Sequence, residues 1–136
     1  MLAAALRDSH LIAFAGVIVL AAVQVGAASI ATLRQAGAEW VLSARDQPFT
    51  PSGVAGRLVR AHRNLLEVLP QFVASVVLVY AADSVSPLTG IGTWTFLIAR
   101  ILYVPAYVSA IPWLRPFCWQ VAFAGILCIV VDGFLP

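Results

Sequence analysis

The chain predicts an all-α fold, a single bundle of four transmembrane helices. Of its 136 residues 62% are hydrophobic and only 10% charged, with a mean hydropathy of +0.96, whereas soluble domains carry about a quarter charged residues. Four long apolar runs follow one another with short polar or turn-forming stretches between them. None alternates as a barrel strand must, which leaves helices to satisfy the backbone in lipid. At this length residues 1–136 form one integral membrane domain, too small to carry a separate soluble catalytic module.

The first span is expected over about residues 9–38. No formally charged residue occurs from Ser9 to Leu33, more than the ~20 apolar residues needed to cross a bilayer core. A cleaved signal peptide would have an apolar region of about 7–15 residues behind a basic start. Here Arg7 is offset by Asp8, so the span is expected to be retained. The polar segment RQAGAEWVLSARDQPFTPSG follows, and Pro48, Pro51 and Gly53 make its second half a loop. The second span is expected over about 57–82 and ends at a turn running from Asp83 to Pro87. The third covers about 88–112, interrupted only by Arg100, and the fourth about 116–133.

Arg34, Arg45, Arg57 and Arg115 fall at one end of this bundle, while Arg7, Asp8, Asp83 and Asp132 fall at the other. The positive-inside rule puts the arginine end in the cytoplasm and both termini on the opposite side. Eight arginines, no lysine and abundant alanine hint at a GC-rich bacterial genome, hence a bacterial inner membrane.

Most chemistry-bearing motifs are missing. Cys118 and Cys128 stand ten apart in an apolar span and read as packing, and His10 and His62 are single, so no metal site is expected. There is no phosphate loop, no Ser/His/Asp set and no internal repeat. TGIG at 89–92 is a lone glycine pair that reads as packing.

The exception is RLVRAHRNLLEVLP, residues 57–70. On a helix with Arg60 at zero, Arg57 falls at about +60°, Arg63 at −60°, Asn64 at +40° and Glu67 at −20°, so all five share an arc of about 120°. Gln71 and Ser75 continue the stripe, and aliphatic residues cover the rest. Glu67 lies about 15 Å further along the axis than Arg57, near mid-bilayer, beyond what snorkelling explains. Such a carboxylate marks a functional site or a structural ion pair that holds the bundle together. Span three offers a matching face in Thr93, Arg100, Tyr103 and Tyr107, and Glu67 is expected to pair with Arg100 at similar depth, each offsetting the other's desolvation. Tyr103 and Tyr107 taken singly also fit an interfacial aromatic belt.

RAHRNLLEVLP (60–70), followed by ARILYVPAYVSAIPWLR (99–115), resembles the MAPEG superfamily, the membrane-associated proteins in eicosanoid and glutathione metabolism. The Arg-x-x-x-Asn-x-x-Glu-x-x-Pro pattern carries the resemblance, which extends over all four spans. It implies a MAPEG-like four-helix protomer assembling as a homotrimer, with glutathione held between neighbouring protomers. It further implies that Arg60, Asn64, Glu67, Tyr103 and Tyr107 hold the tripeptide, and Arg63 and Arg100, on the same polar faces, are further candidates to bind it. Arg45, in VLSAR, becomes a candidate for its glycine carboxylate, and His62, at about 200° on the far side of the helix, a contact across a subunit boundary. Arg115 is the one arginine placed to stabilise the thiolate; the alternative is a positive-inside anchor, and Pro112 and Pro116 bracket it.

The implied activity is a glutathione-dependent membrane transferase, with peroxidase action on lipid hydroperoxides as a further reaction, acting on hydrophobic electrophiles from the bilayer. The expected partners are the bilayer, copies of the same chain and a hydrophobic small molecule, with no nucleic acid. The alternative is a non-catalytic four-span protein that binds a small anionic ligand or serves as a scaffold. A small transporter is disfavoured because the chain lacks two related halves.

Overall fold

The computed structural model describes residues 1–134, apart from the side chains of Leu2, Ala3, Leu6 and Arg7. Arg7, counted above with the charges of one end, therefore lies outside the described side chains, as do the last two residues. Four helices follow in order: α1 (Leu2–Leu42), α2 (Gly53–Ala81), α3 (Pro87–Val108) and α4 (Leu114–Asp132). All four are long and apolar enough to cross a membrane, and an even number of crossings returns the chain to the side where it began. The chain is a multi-pass membrane protein.

Helix α1 outruns its expected span. Its uninterrupted part, residues 2–36, measures about 50 Å, well beyond a bilayer core of about 30 Å. Its last turns carry Arg34 and Glu39, and the backbone breaks at Gly37, where φ is 81° and only glycine is comfortable. The loop that follows is tied back to this extension. Gln35 donates to the Ser52 carbonyl at 3.1 Å and accepts from the Ser52 N–H at 3.0 Å, and Trp40 Nε1 donates to the Gln47 carbonyl at 2.7 Å. Helix α2 then starts at Gly53, four residues ahead of the polar stripe. Helix α3 stops at Val108, short of the expected 112. Ala110 takes a φ of 59°, and the residue before Pro112 is sterically biased away from helical backbone.

Helix α3 is the centre of the bundle. It packs on α1, α2 and α4, while α1 and α4 do not meet among the described residues. Phe14, Phe72 and Phe96, one from each of α1, α2 and α3, form a stack with centroid separations of 5.7 and 4.2 Å. Helices α3 and α4 approach so closely that a Cβ on Gly92 would lie 2.7 Å from the Gly125 carbonyl oxygen, and one on Gly125 2.7 Å from the Gly92 carbonyl oxygen. The TGIG glycine is thus a packing residue, matched by a second glycine on the facing helix. Small residues let membrane helices come this near. Gly125→Ala should therefore lower stability by about 1–3 kcal/mol, because the obstructing atoms are backbone and cannot rotate away. Thermal unfolding of the variant in detergent checks this, and an unchanged midpoint would show that the helices part freely.

Asp132 was counted above simply as a charge at one end, yet it is only 2% exposed. Its carboxylate accepts from the Ser86 hydroxyl at 2.6 Å, from the Ser86 and Thr89 N–H groups at 3.3 and 3.0 Å, and from the Thr89 hydroxyl. Ser86 is the N-cap of α3, with Pro87 following it. The last residue of α4 therefore neutralises the positive end of α3 and its orphan N–H groups.

Candidate functional site

Seven of the sequence-predicted residues line one cavity of about 430 Å³: Arg60, Arg63, Asn64 and Glu67 from α2, Tyr103 and Tyr107 from α3, and Arg115 from α4. Pro116 and Trp119 complete its wall. The α2 residues meet there because 60, 63, 64 and 67 recur at helical spacing on one face. Tyr103 and Tyr107, four apart, stack their rings 5.5 Å between centroids. The short 109–113 turn and Pro116, tolerated in a helix's first turn, place Arg115 at the start of α4. A cation there opposes the helix dipole, so Arg115 and the helix end both present positive potential to the cavity.

Two guanidinium groups bracket the Tyr107 ring, with Cζ of Arg115 at 5.1 Å and Cζ of Arg60 at 6.0 Å from its centroid. Both arginines and Tyr107 also line an adjoining cavity of about 400 Å³ that Arg57 enters. Four arginines and one carboxylate therefore surround the connected space, a strongly cationic environment.

The expected ion pair between Glu67 and Arg100 is not present. Arg100 Nη1 donates to Asn64 Oδ1 at 3.1 Å, and Asn64 Nδ2 donates to Glu67 Oε2 at 3.2 Å. The asparagine amide, having both acceptor and donor, stands between the two charges and joins them. Arg100 is fully buried behind the cavity wall and does not line the cavity. Its Cζ lies 4.4 Å from the Tyr103 ring centroid, a cation–π contact, while Nε and Nη2 have no hydrogen-bond partner among the described residues. Glu67, by contrast, is exposed, and the fixed Asn64 amide orients its carboxylate at the cavity wall.

The MAPEG family model matches residues 9–135, which takes in all four spans. The chain belongs to the MAPEG family. No curated protein matches it closely enough to count as a relative.

In this MAPEG protein Arg45 and His62 stand away from the polar cavity. Arg45 is exposed in the loop after α1, with a φ of 60°, its Cζ 5.4 Å from the Trp40 ring centroid, and it lines a separate cavity there. His62 is half-buried on another face of α2, and its Nδ1 has no partner. Trp119 and Arg57 were not among the candidate site residues. Trp119 had no polar pattern to mark it, since it reaches the cavity only because the chain reverses between Val108 and Leu114. Arg57 shared the stripe, but its position at a span's end suggested snorkelling.

Proposed function

We propose that this protein is a glutathione-dependent membrane transferase, with peroxidase action as a further reaction, that works on hydrophobic electrophiles drawn from the bilayer. The observation that carries this reading is one cavity lining that combines three arginines, an oriented carboxylate, an amide and two phenols on membrane-spanning helices. Glutathione presents two carboxylates, an ammonium and a thiol, and these residue types match each group. The cavity volume falls in the usual range of small-ligand sites.

Arg60 and Arg63 bind the ligand's carboxylates, the arrangement for which a planar guanidinium is suited. Glu67, steadied by Asn64, receives the ammonium. Tyr103 and Tyr107 supply hydroxyls and confine the ligand. Arg100 acts indirectly, as a positioning residue that orients Asn64. When bound, glutathione supplies the thiolate nucleophile. Arg115 remains protonated and cannot serve as a base, so its contribution is to favour the charged sulfur.

The proposed assembly is a homotrimer. Arg60, Arg63, Glu67 and Gln71 are all exposed on α2 of one protomer, and leaving them against lipid is prohibitively unfavourable. Covering this face with neighbouring protomers removes the conflict. It would also bring Arg45 and His62, both remote from the cavity within one chain, toward a neighbour's site. The proposed orientation puts the arginine-rich end in the cytoplasm, following the positive-inside rule, and the arginine- and alanine-rich composition favours a bacterial inner membrane.

The test is titration of the purified protein with glutathione, followed by a conjugation assay with a generic aromatic electrophile. We expect saturable binding, conjugate formation, and crosslinking in membranes that stops at three chains. Binding without turnover would turn the reading to a non-catalytic ligand-binding protein, and a ladder ending at two would refute the trimer.

A further inference from the structure

The cavity that adjoins the proposed glutathione site is lined by three arginines and no acidic residue. Arg57 and Arg60 enter it from α2, and Arg115 from the start of α4. Asn64 and Glu67, the residues given the ammonium of glutathione, are absent from its lining. Like charges converge here without a counter-charge.

Snorkelling does not account for this arrangement. Guanidinium groups that seek only water spread apart, whereas those of Arg60 and Arg115 stand 6.0 and 5.1 Å from the centroid of one ring, that of Tyr107. Arg60 is also folded back along α2, toward Arg57. A Cβ on Gly56, one turn earlier, would lie 3.2 Å from Arg60 Nη1, so the glycine leaves open the space beside this guanidinium. Arg57 is half-buried. Helix α4 adds to the field, since Trp113 at its N-cap makes no side-chain capping bond and the positive end of the helix dipole lies at Arg115. Much of the remaining wall is apolar, formed by Ala106 near the end of α3 and by Ile111 and Pro112 of the following turn.

We propose that this second cavity binds a phosphate monoester, with the phosphate among Arg57, Arg60 and Arg115 and the organic part against Ile111 and Pro112. Such a phosphate carries about −1.5 to −2 charge at pH 7 and three acceptor oxygens, so it offsets most of a triple positive charge that one carboxylate leaves largely unbalanced. Guanidinium forks pair with it bidentately. The space, about 400 Å³, is in the range of small organic ligands, which suits an ester better than the bare inorganic ion. Arg57 stands close to the start of α2 at Gly53, a level that both lipid headgroups and dissolved molecules reach. Phosphatidic acid and a soluble phosphate ester present the same recognised group.

The experiment titrates the full chain in a maltoside detergent, without glutathione, with glycerol 3-phosphate and with acetate, and reads the heat of binding. Wild type should bind glycerol 3-phosphate saturably and at least tenfold more tightly than acetate. Arg57→Gln should weaken that binding about tenfold or more, the worth of a hydrogen bond to a charged group. Ile111→Asp, which brings a carboxylate into the wall from an exposed turn, should weaken it similarly and carries the test if Arg57→Gln folds poorly. Arg34→Gln removes an exposed arginine of the same end that does not line the cavity, and it should change nothing. In phosphatidylcholine nanodiscs, competition from added phosphatidic acid would identify a lipid headgroup as the occupant, and undiminished binding a soluble ester; either result agrees with the proposal. Absence of saturable binding, equal affinity for acetate, or full affinity in either cavity variant would overturn it. So would an equal loss in Arg34→Gln, which would show diffuse attraction to the basic end. Because glutathione is absent throughout, the outcome is independent of the transferase activity proposed above.

Discussion

Asn64→Leu should destabilise the protein by about 3–5 kcal/mol, and adding Arg100→Leu should restore most of that loss. Arg100 is 0% exposed, and among the described residues its one side-chain hydrogen bond is to Asn64. Removing the amide strands a guanidinium in a low-dielectric interior with only the Tyr103 ring to offset its charge. Removing the guanidinium as well leaves two aliphatic side chains in contact, an exchange that is often neutral or favourable once both polar partners are gone. Denaturant unfolding of wild type, both single variants and the double variant in detergent gives the coupling energy. Additive losses would mean that the 3.1 Å contact carries no energy. The same series separates folding from binding. The double variant should be stable yet bind glutathione weakly, since Glu67 would have lost the amide that orients it.

Arg115→Ala should lower turnover near neutral pH about a hundredfold, the usual scale for deleting one electrostatic stabiliser of a developing anion, while glutathione affinity stays nearly intact. Arg60, Arg63, Asn64, Glu67 and Tyr103 would still grip the ligand's ends, whereas the charge beside the Tyr107 ring would be gone. The direction with pH follows from the charge. A cation favours the anionic sulfur, so in wild type the bound thiol ionises below the ~8.5 of a free cysteine thiol. Without Arg115 ionisation moves back up, and turnover should recover partly as pH rises toward that value. Arg60→Ala should show the reverse pattern, with weaker binding and a smaller effect at saturating glutathione. Ultraviolet absorbance of the thiolate, titrated against pH in wild type and Arg115→Ala, is the direct measurement. Identical titrations in the two proteins would falsify the role given to Arg115.

The polar stripe was legible because helical spacing alone puts residues 60, 63, 64 and 67 on one face, whatever the helix packs against. The partner of Glu67 was not. Spacing fixes direction and depth on each helix, but the choice between a direct ion pair and an amide bridge depends on how α2 and α3 are set against each other to within an ångström or two. Arg115 shows the same division. Its place in the chain was plain, whereas its approach to Tyr107 depends on the reversal between Val108 and Leu114, where Ala110 adopts a left-handed φ.

Gln24 and Asp132 lie beyond what a one-dimensional reading can find. Each is a single polar residue in or beside an apolar run, with no periodic companion, so hydropathy treats the first as tolerated and the second as a span boundary. The fold gives them opposite surroundings. Asp132 meets the capped start of α3 and is fully satisfied, while the Gln24 amide is buried with no hydrogen-bond partner among the described residues. By itself the sequence determined that the chain crosses the membrane four times and that α2 carries one polar face, since both follow from local composition and helical period. The tertiary structure alone decided which polar groups meet, because hydrogen bonds and cavities form between elements distant in sequence, at distances that no periodicity encodes.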